Sequence, residues 1–322
     1  MKKKVLIPQK IMEFGEIYLE ERGYEVIHGS SDDEDTIAKE AHDCDAILIR
    51  MAPITPKIID SAPKLKVIAR HGVGVDAINF NYAAQKGIWV VNAPTANFNA
   101  VAEHVIMVIL ACAKKSRAID NCFRQYGANK AGTIIGEEVS GKTLGVLGLG
   151  KIGMQLAKKA YAGFEMRVIG YDPYAVKEKL PDYIELKEDM DDLFKEADFV
   201  SIHMPLNEST RGIIGEEKFK MMKSSAYMIN AARGEIIDEK ALITAIQEKT
   251  IAGGAFDVFE ETPISLSHPL LNFDNVIITP HTAAVTNEAM KKMGIYAAQG
   301  IDEVLSGKRP TWPVNSPTII NS

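Results

Sequence analysis

Cysteine is scarce, positive charge is in deficit and no apolar run is long enough to cross a bilayer; each absence removes a class of protein from consideration. The 3 cysteines among 322 residues are Cys44, Cys112 and Cys122. They form no CxxC pair and no metal-ligand spacing, so neither a disulfide framework nor a metal site is expected, and the thiols suit a reducing, cytoplasmic setting. Lys and Arg number 37 against 43 Asp and Glu, a net charge of -6. Counterion-driven binding to nucleic acid needs clustered cations, so no nucleic-acid partner is expected and an anionic ligand has to be met locally. The longest apolar stretch, "VIMVILACA" from Val105 to Ala113, is about half a membrane span. It reads as a buried helix, and no membrane partner is expected. "MKKKVLIPQK" opens like a secretory leader, but its apolar run stops at Pro8, too early for one.

What the chain has in quantity is core material, 46% hydrophobic residues, at a length that suits two domains better than one. Short β-rich runs alternate with helical patterns from the start: "KVLIP", "YEVIH", "DAILIR", "LKVIARHGVG" and "IWVVNAP". A second series follows: "TLGVLG", "RVIGYD", "FVSIHMPL", "AYMINAARG", "GGAFDVF" and "NVIITPH". Apolar runs separated by helix-length segments such as Asp238 to Glu248 predict parallel strands buried on both faces. The fold class is therefore α/β, with two doubly wound parallel-sheet domains of about five or six strands each. Asn99 to about Ser116 reads as a helix leaving the first series, and Asn287 to Leu305 as a long helix with no strand after it. If that last helix returns to the first domain, the second domain is inserted into it, with hinges near Asn97 to Ala102 and Thr282 to Asn287. Ligand is then expected at the carboxyl ends of the strands.

Gly148, Gly150 and Gly153 form G-x-G-x-x-G directly after the apolar Leu144 to Leu147 and directly before the helical "MQLAKKA". In that context the first glycine serves a tight turn, the second lets a pyrophosphate approach the backbone, and the third lets helix pack on strand. The helix N-terminus adds N–H groups for phosphate. A second strand, "RVIGYD", ends in Asp172, nineteen residues past Gly153. A carboxylate there accepts hydrogen bonds from both hydroxyls of a ribose and repels a 2′-phosphate, and Tyr171, Pro173 and Tyr174 bring no arginine to hold one. The pattern predicts NAD and not NADP.

"INAARGEIID" places Asn230 and Arg233 at the end of an apolar strand. A guanidinium there can grip a carboxylate through two parallel hydrogen bonds and polarise the adjoining carbonyl, or it can make an ordinary ion pair at a helix cap. "VIITPHTAA" places His281 after another strand, where an imidazole can move a proton near neutral pH or can be a structural histidine. His203 in "SIHMPL" holds the same kind of position, so strand-end histidines do not separate on this basis alone. His28, His42, His71, His104 and His268 carry no local pattern.

Taken in order, Gly148-x-Gly150-x-x-Gly153, Asp172, "HMPLNEST", "INAARG", "GGAFDVFEETP" and "TPHTAA" resemble the D-2-hydroxyacid dehydrogenase family nearly end to end, close to its phosphoglycerate dehydrogenase branch. The resemblance implies a Rossmann NAD domain, residues 99–285, inserted into a flavodoxin-like substrate domain, residues 1–98 and 286–322. The implied activity is that of an NAD-dependent oxidoreductase interconverting a small D-2-hydroxy acid and its 2-oxo acid. The pair 3-phosphoglycerate and 3-phosphohydroxypyruvate stands first, with glyoxylate, hydroxypyruvate or a D-lactate-type acid as alternatives. The same family includes corepressors that bind NADH and control assembly, which leaves a weakly catalytic NADH-sensing role open.

Carried over residue by residue, the implied NAD contacts come from four motifs. Gly148, Gly150, Lys151, Ile152, Gly153 and Asp172 form the first. His203, Met204, Pro205 and Thr210 lie in "HMPLNEST". Ala231, Ala232 and Arg233 lie in "INAARG", and Asp257, His281 and Ala283 complete the set. Arg233 would also bind the carboxylate and carbonyl of the 2-oxo acid, and His281 would donate the proton to its carbonyl oxygen. In "RHGVGVDAIN" the N–H groups of Val73 and Gly74 would hold the carboxylate, with Gly72 and Gly74 permitting its close approach. Arg50 and Arg70 stand where the branch has arginines near its substrate; the other reading is that they pair within the first domain.

One departure matters. The family has a glutamate five residues after the strand-end acid and just before a proline; here Thr262 occupies that place, with Glu260 and Glu261 preceding it. A carboxylate there favours the imidazolium form, so its absence is expected to weaken proton donation unless Glu261 reaches in as a substitute. The resemblance further implies a homodimer formed through the NAD domain, with "FRQYGANKAGTIIGEEVSGKT" as an arm. Few residues follow "GKRPTWPVN", so the regulatory domain of longer phosphoglycerate dehydrogenases is not expected.

Overall fold

The computed structural model describes residues 2–261 and 263–317, so the reading made for Thr262 lies outside the described residues. Two compact units emerge, Met1–Asn97 with Val285–Ser322, and Phe98–Ala284. Each is built on one parallel sheet with helices on both faces.

In the first unit the strands are β1 (Lys4–Ile7), β2 (Glu25–His28), β3 (Ala46–Ile49), β4 (Val67–Arg70) and β5 (Trp89–Val91), in the spatial order β2-β1-β3-β4-β5. All five apolar runs of the first series form these strands. Their β-branched and aliphatic residues pack into a core on each face, one around Leu6, Ile47 and Ile68 and the other around Val5, Leu48 and Val67. Double-sided burial is why the runs are continuously apolar and do not alternate. The helix Asn287–Leu305 packs on the helix Phe14–Glu20 and on β4. Small residues allow the close crossing: a Cβ on Gly15 would stand 2.9 Å from the carbonyl oxygen of Gly294. The segment after this helix runs beside β5, where the Val314 N–H donates to the Val90 carbonyl at 2.8 Å and the Asn315 Oδ1 accepts from the Val90 N–H at 2.8 Å. It thereby satisfies the outer edge of the sheet.

In the second unit the strands are β6 (Thr143–Leu147), β7 (Arg167–Tyr171), β8 (Ile184–Leu186), β9 (Phe199–Ile202), β10 (Tyr227–Asn230), β11 (Gly253–Phe256) and β12 (Val276–Ile278). Their order is β12-β11-β10-β9-β6-β7-β8, all parallel. The sheet has seven strands where the sequence pattern indicated about six. The added one, β8, is an edge strand of 3 residues with the exposed Glu185 at its centre, so it carries no apolar run to read. The expected helix from Asn99 to about Ser116 is Phe98–Ala113; after it Lys115 takes a left-handed φ of 51° and a further helix, Ser116–Tyr126, begins. No helix among the described residues is long and apolar enough to cross a membrane.

In both sheets the strand order reverses beside the first strand of the unit, between β1 and β3 and between β6 and β9. At such a switch point the loops leaving neighbouring strands diverge to opposite faces and leave a crevice for ligand.

Candidate active site

At the switch point of the second unit, β6 runs into Gly148–Gly150 and then into the helix Lys151–Phe164. Gly148 has φ +94°, and a Cβ on it would lie 2.8 Å from the His203 carbonyl group. The loops after β6 and β9 therefore pack backbone to backbone. A Cβ on Gly153 would lie 2.1 Å from the Gly148 oxygen, whereas one on Gly150 would meet nothing within 4 Å. The protein thus crowds the first and third glycines and leaves the second open, which is the distribution a phosphate-binding turn requires. Lys151, Ile152 and Gly153 form the first helical turn, whose N–H groups have no partner further back in the helix.

Asp172 follows β7. Its Oδ2 accepts from the Leu149 N–H at 2.9 Å and its Oδ1 from the Tyr174 N–H at 2.9 Å. Each oxygen keeps acceptor capacity for a ribose hydroxyl, and the carboxylate is tied to the glycine turn itself. These residues fit NAD. On the other side of the turn, the His203 ring meets the buried Ser201 hydroxyl at 2.8 Å, and burial pushes its imidazole down to about 4, so it is neutral at physiological pH. Met204 is buried, and the Thr210 hydroxyl donates to the Pro205 carbonyl at 2.7 Å while accepting from the Asn207 N–H at 2.9 Å, closing a compact turn.

Two further strand ends carry the candidate reacting groups. β10 ends at Asn230, 1% exposed, whose Nδ2 donates to the Arg233 carbonyl at 2.9 Å and whose Oδ1 accepts from the Ala232 N–H at 3.0 Å. This side chain staples Ala231, Ala232 and Arg233 into a fixed turn, and Arg233 Nη1 donates to the Ala232 carbonyl at 2.7 Å.

β11 is followed by Asp257, 3% exposed. Its Oδ1 accepts from the Thr279 hydroxyl at 2.5 Å and the Thr282 N–H at 2.8 Å, its Oδ2 from the Ala283 N–H at 2.9 Å, and its carbonyl from the His281 N–H at 2.8 Å. The turn that bears His281 is built around this one residue. His281 itself is exposed, with φ +54°, a left-handed conformation that costs a non-glycine residue roughly 1–2 kcal/mol and that the Asp257 hydrogen bonds hold in place. His104 Nε2 lies 3.3 Å from the Thr279 hydroxyl; burial lowers its pKa, with the Asp257 charge opposing. Glu261 is exposed, beside Glu260, whose carboxylate accepts from the Glu239 N–H at 3.4 Å.

In the first unit, Arg50 follows β3 and is half-buried; among the described residues it makes no hydrogen bond or ion pair. Arg70 ends β4 and turns its guanidinium back onto the following loop, which includes Val73 and Gly74. The sequence pattern passed over Asn92, which braces this loop, and over Thr279 and His104. Each acts by holding another segment, and only the fold brings those segments together. The nearest sequence cue was Thr279 itself, two residues before His281 in the same strand-end turn.

Residues 106–283 match the model of the D-isomer specific 2-hydroxyacid dehydrogenase, NAD binding domain. The chain belongs to that family. It is 43% identical over 319 residues to a D-3-phosphoglycerate dehydrogenase of Methanocaldococcus jannaschii, covering 98% of this chain and 60% of that protein. A glyoxylate reductase of Thermofilum pendens is 37% identical over 322 residues, covering 97% of this chain and 94% of that one. Among solved structures, the TT0316 protein of Thermus thermophilus superposes with a TM-score of 0.90 at 30% identity, over 97% of this chain and 100% of that one. The chain thus spans about 60% of the length of the phosphoglycerate dehydrogenase relative. The cofactor of the second unit is NAD.

Two measurements follow from this geometry. Asp172→Ala is expected to weaken NADH binding at least tenfold, about 1.4 kcal/mol, in a fluorescence titration; unchanged affinity would remove Asp172 from the ribose site. The second concerns His71, 2% exposed with neither ring nitrogen hydrogen-bonded among the described residues, whose pKa burial lowers from 6.5 to about 4. Between those values the unfolded chain binds the extra proton, so stability is full above pH 6.5 and falls by roughly 3 kcal/mol on acidification to pH 4. In urea unfolding, His71→Leu is expected to lose less stability than the wild type between pH 7 and pH 5, by roughly 2 kcal/mol. Parallel losses would show that His71 is not the group responsible.

Proposed function

We propose that this protein is an NAD-dependent dehydrogenase that interconverts a small D-2-hydroxy acid and its 2-oxo acid, with 3-phosphoglycerate and 3-phosphohydroxypyruvate as the preferred pair. The observation that carries the reading is the buried Asp257, whose carboxylate and carbonyl organise the turn presenting His281 in a left-handed conformation. An exposed imidazole held in one orientation by an over-determined turn supports a proton-transfer role.

When bound, NAD supplies or accepts the hydride. The protein's own groups do the rest. Arg233, held by the Asn230 staple, forms a charge-assisted pair with the substrate carboxylate and draws electron density from its carbonyl. His281, as imidazolium, gives a proton to the carbonyl oxygen in reduction; as neutral imidazole it takes the hydroxyl proton in oxidation. Reduction therefore falls as pH rises through the histidine's titration, and oxidation rises. The N–H groups of Val73 and Gly74 hold the carboxylate, and Arg50 is the cation left for a phosphate. The preference for the phosphorylated acid is supported by Arg50 and by the similarity to the Methanocaldococcus jannaschii enzyme.

We also place the protein in the cytoplasm as a homodimer. Buried, unpaired Cys44 and Cys112 suit a reducing compartment. For the dimer, the support is the exposure of Phe123 (55%), Tyr126 (54%) and Ile135 (79%) along one arm of the NAD domain, apolar area that a solvated monomer has little reason to present. Sedimentation equilibrium is expected to give twice the chain mass, and Tyr126→Glu with Ile135→Glu to give the single mass; a monomeric wild type rules the assembly out.

The activity is tested by NADH oxidation with 3-phosphohydroxypyruvate, hydroxypyruvate, glyoxylate and pyruvate across pH, with Arg233→Ala as control. Turnover of one acid, falling with rising pH and reduced roughly a hundredfold or more in the control, is the expected result. Tight NADH binding with no turnover of any acid would replace the dehydrogenase by a sensing role.

A further inference from the structure

The loop after β4 shows an asymmetry between its acceptors and its donors. All four carbonyls from His71 to Gly74 are engaged. The Gly72 oxygen accepts from the Ala93 N–H at 2.8 Å and the Val73 oxygen from Asn92 Nδ2 at 2.7 Å. The other two go to one side chain: Arg70 Nη1 donates to the His71 carbonyl and Arg70 Nε to the Gly74 carbonyl at 2.9 Å, bridging the loop from end to end. Arg70 Nη2 meets the Met51 sulfur at 3.5 Å. The loop passes directly beneath the guanidinium, since a Cβ on Gly72, where φ is +146°, would lie 3.0 Å from Nη1. Of the N–H groups, His71 donates to the Ile49 carbonyl and Gly72 to the Arg70 carbonyl, both at 2.8 Å. Those of Val73 and Gly74 donate to nothing among the described residues.

We infer that Arg70 is a positioning residue and not a ligand of the substrate's distal group: its guanidinium takes up the loop's carbonyls so that the loop presents only N–H donors to a carboxylate. The inference rests on the activity proposed above and assigns Arg70 to the part of the substrate that every 2-oxo acid shares. A planar fork with five donors in fixed directions can bridge two carbonyls; a lysine ammonium on a flexible stem supplies the charge without the bridge. A phosphate ligand tolerates that exchange far better than a clamp does.

The experiment compares Arg70→Lys and Arg70→Met with the wild type on 3-phosphohydroxypyruvate, hydroxypyruvate and glyoxylate, with NADH affinity as the check on folding. Loss of a charge-assisted clamp is expected to lower kcat/KM roughly thirtyfold, by the same factor within about threefold for all three acids, and Lys is expected not to restore it. A loss confined to the phosphorylated acid, or restoration by Lys, would overturn the inference in favour of direct phosphate binding. Amide hydrogen exchange gives a readout independent of turnover. In Arg70→Met the Ala93 amide, which holds the Gly72 carbonyl, is expected to exchange faster while the amides of β3 keep their wild-type rates. An unchanged Ala93 rate would overturn the clamp. If the wild type reduces none of the acids, the proposed activity fails, and the exchange result still decides the clamp.

Discussion

The hydrogen bonds converging on the Asp257 carboxylate are the constraint on which the candidate chemistry depends. A buried charge is costly unless it is fully solvated by the protein, and here a hydroxyl and two N–H groups from Thr279, Thr282 and Ala283 supply that solvation. Because all three lie in one short turn, satisfying the acid and fixing the turn are the same event. His281 is carried into a left-handed conformation as a consequence. The energetic logic runs from burial to strain to presentation of the imidazole.

The same logic of one side chain satisfying a bend recurs at other strand ends. Asn230 staples the turn before Arg233, Asp172 ties the glycine turn to the end of β7, and Arg70 bridges the loop after β4. A parallel sheet makes this necessary. Its strands end in register at one edge, and every chain leaving that edge must turn sharply toward a helix, exposing backbone groups that need partners. Polar residues at those positions serve the fold first, and the candidate site residues sit on the turns so stabilised.

Much of this was legible in the sequence, and the failures are instructive. Eleven apolar runs marked eleven strands, because a strand buried on both faces has to be apolar throughout. The glycine spacing marked the nucleotide turn, because a positive φ at Gly148 and the close contact of Gly153 leave no other residue suitable. β8 escaped because an edge strand has one wet face and needs no apolar run. The helix Ser116–Tyr126 escaped because none of its residues is buried, so it shows no apolar stripe to read. For Arg70 the sequence left two readings open, a cation near the substrate or a partner within its own domain, because the direction of a guanidinium is not written in its neighbours along the chain.

By itself, then, the sequence determined the α/β class, the strands, the nucleotide turn with its acid, and the positions of Arg233 and His281 at strand ends. These depend on local periodicity and on steric limits that act within a few residues. Only the tertiary structure decided the strand order and switch points, the partners of Asp257, and the engagement of Arg70 with a loop while Arg50 has no partner among the described residues. Those depend on which carbonyls and amides the fold brings within about 3 Å of a given side chain, a distance set by segments far apart in the chain.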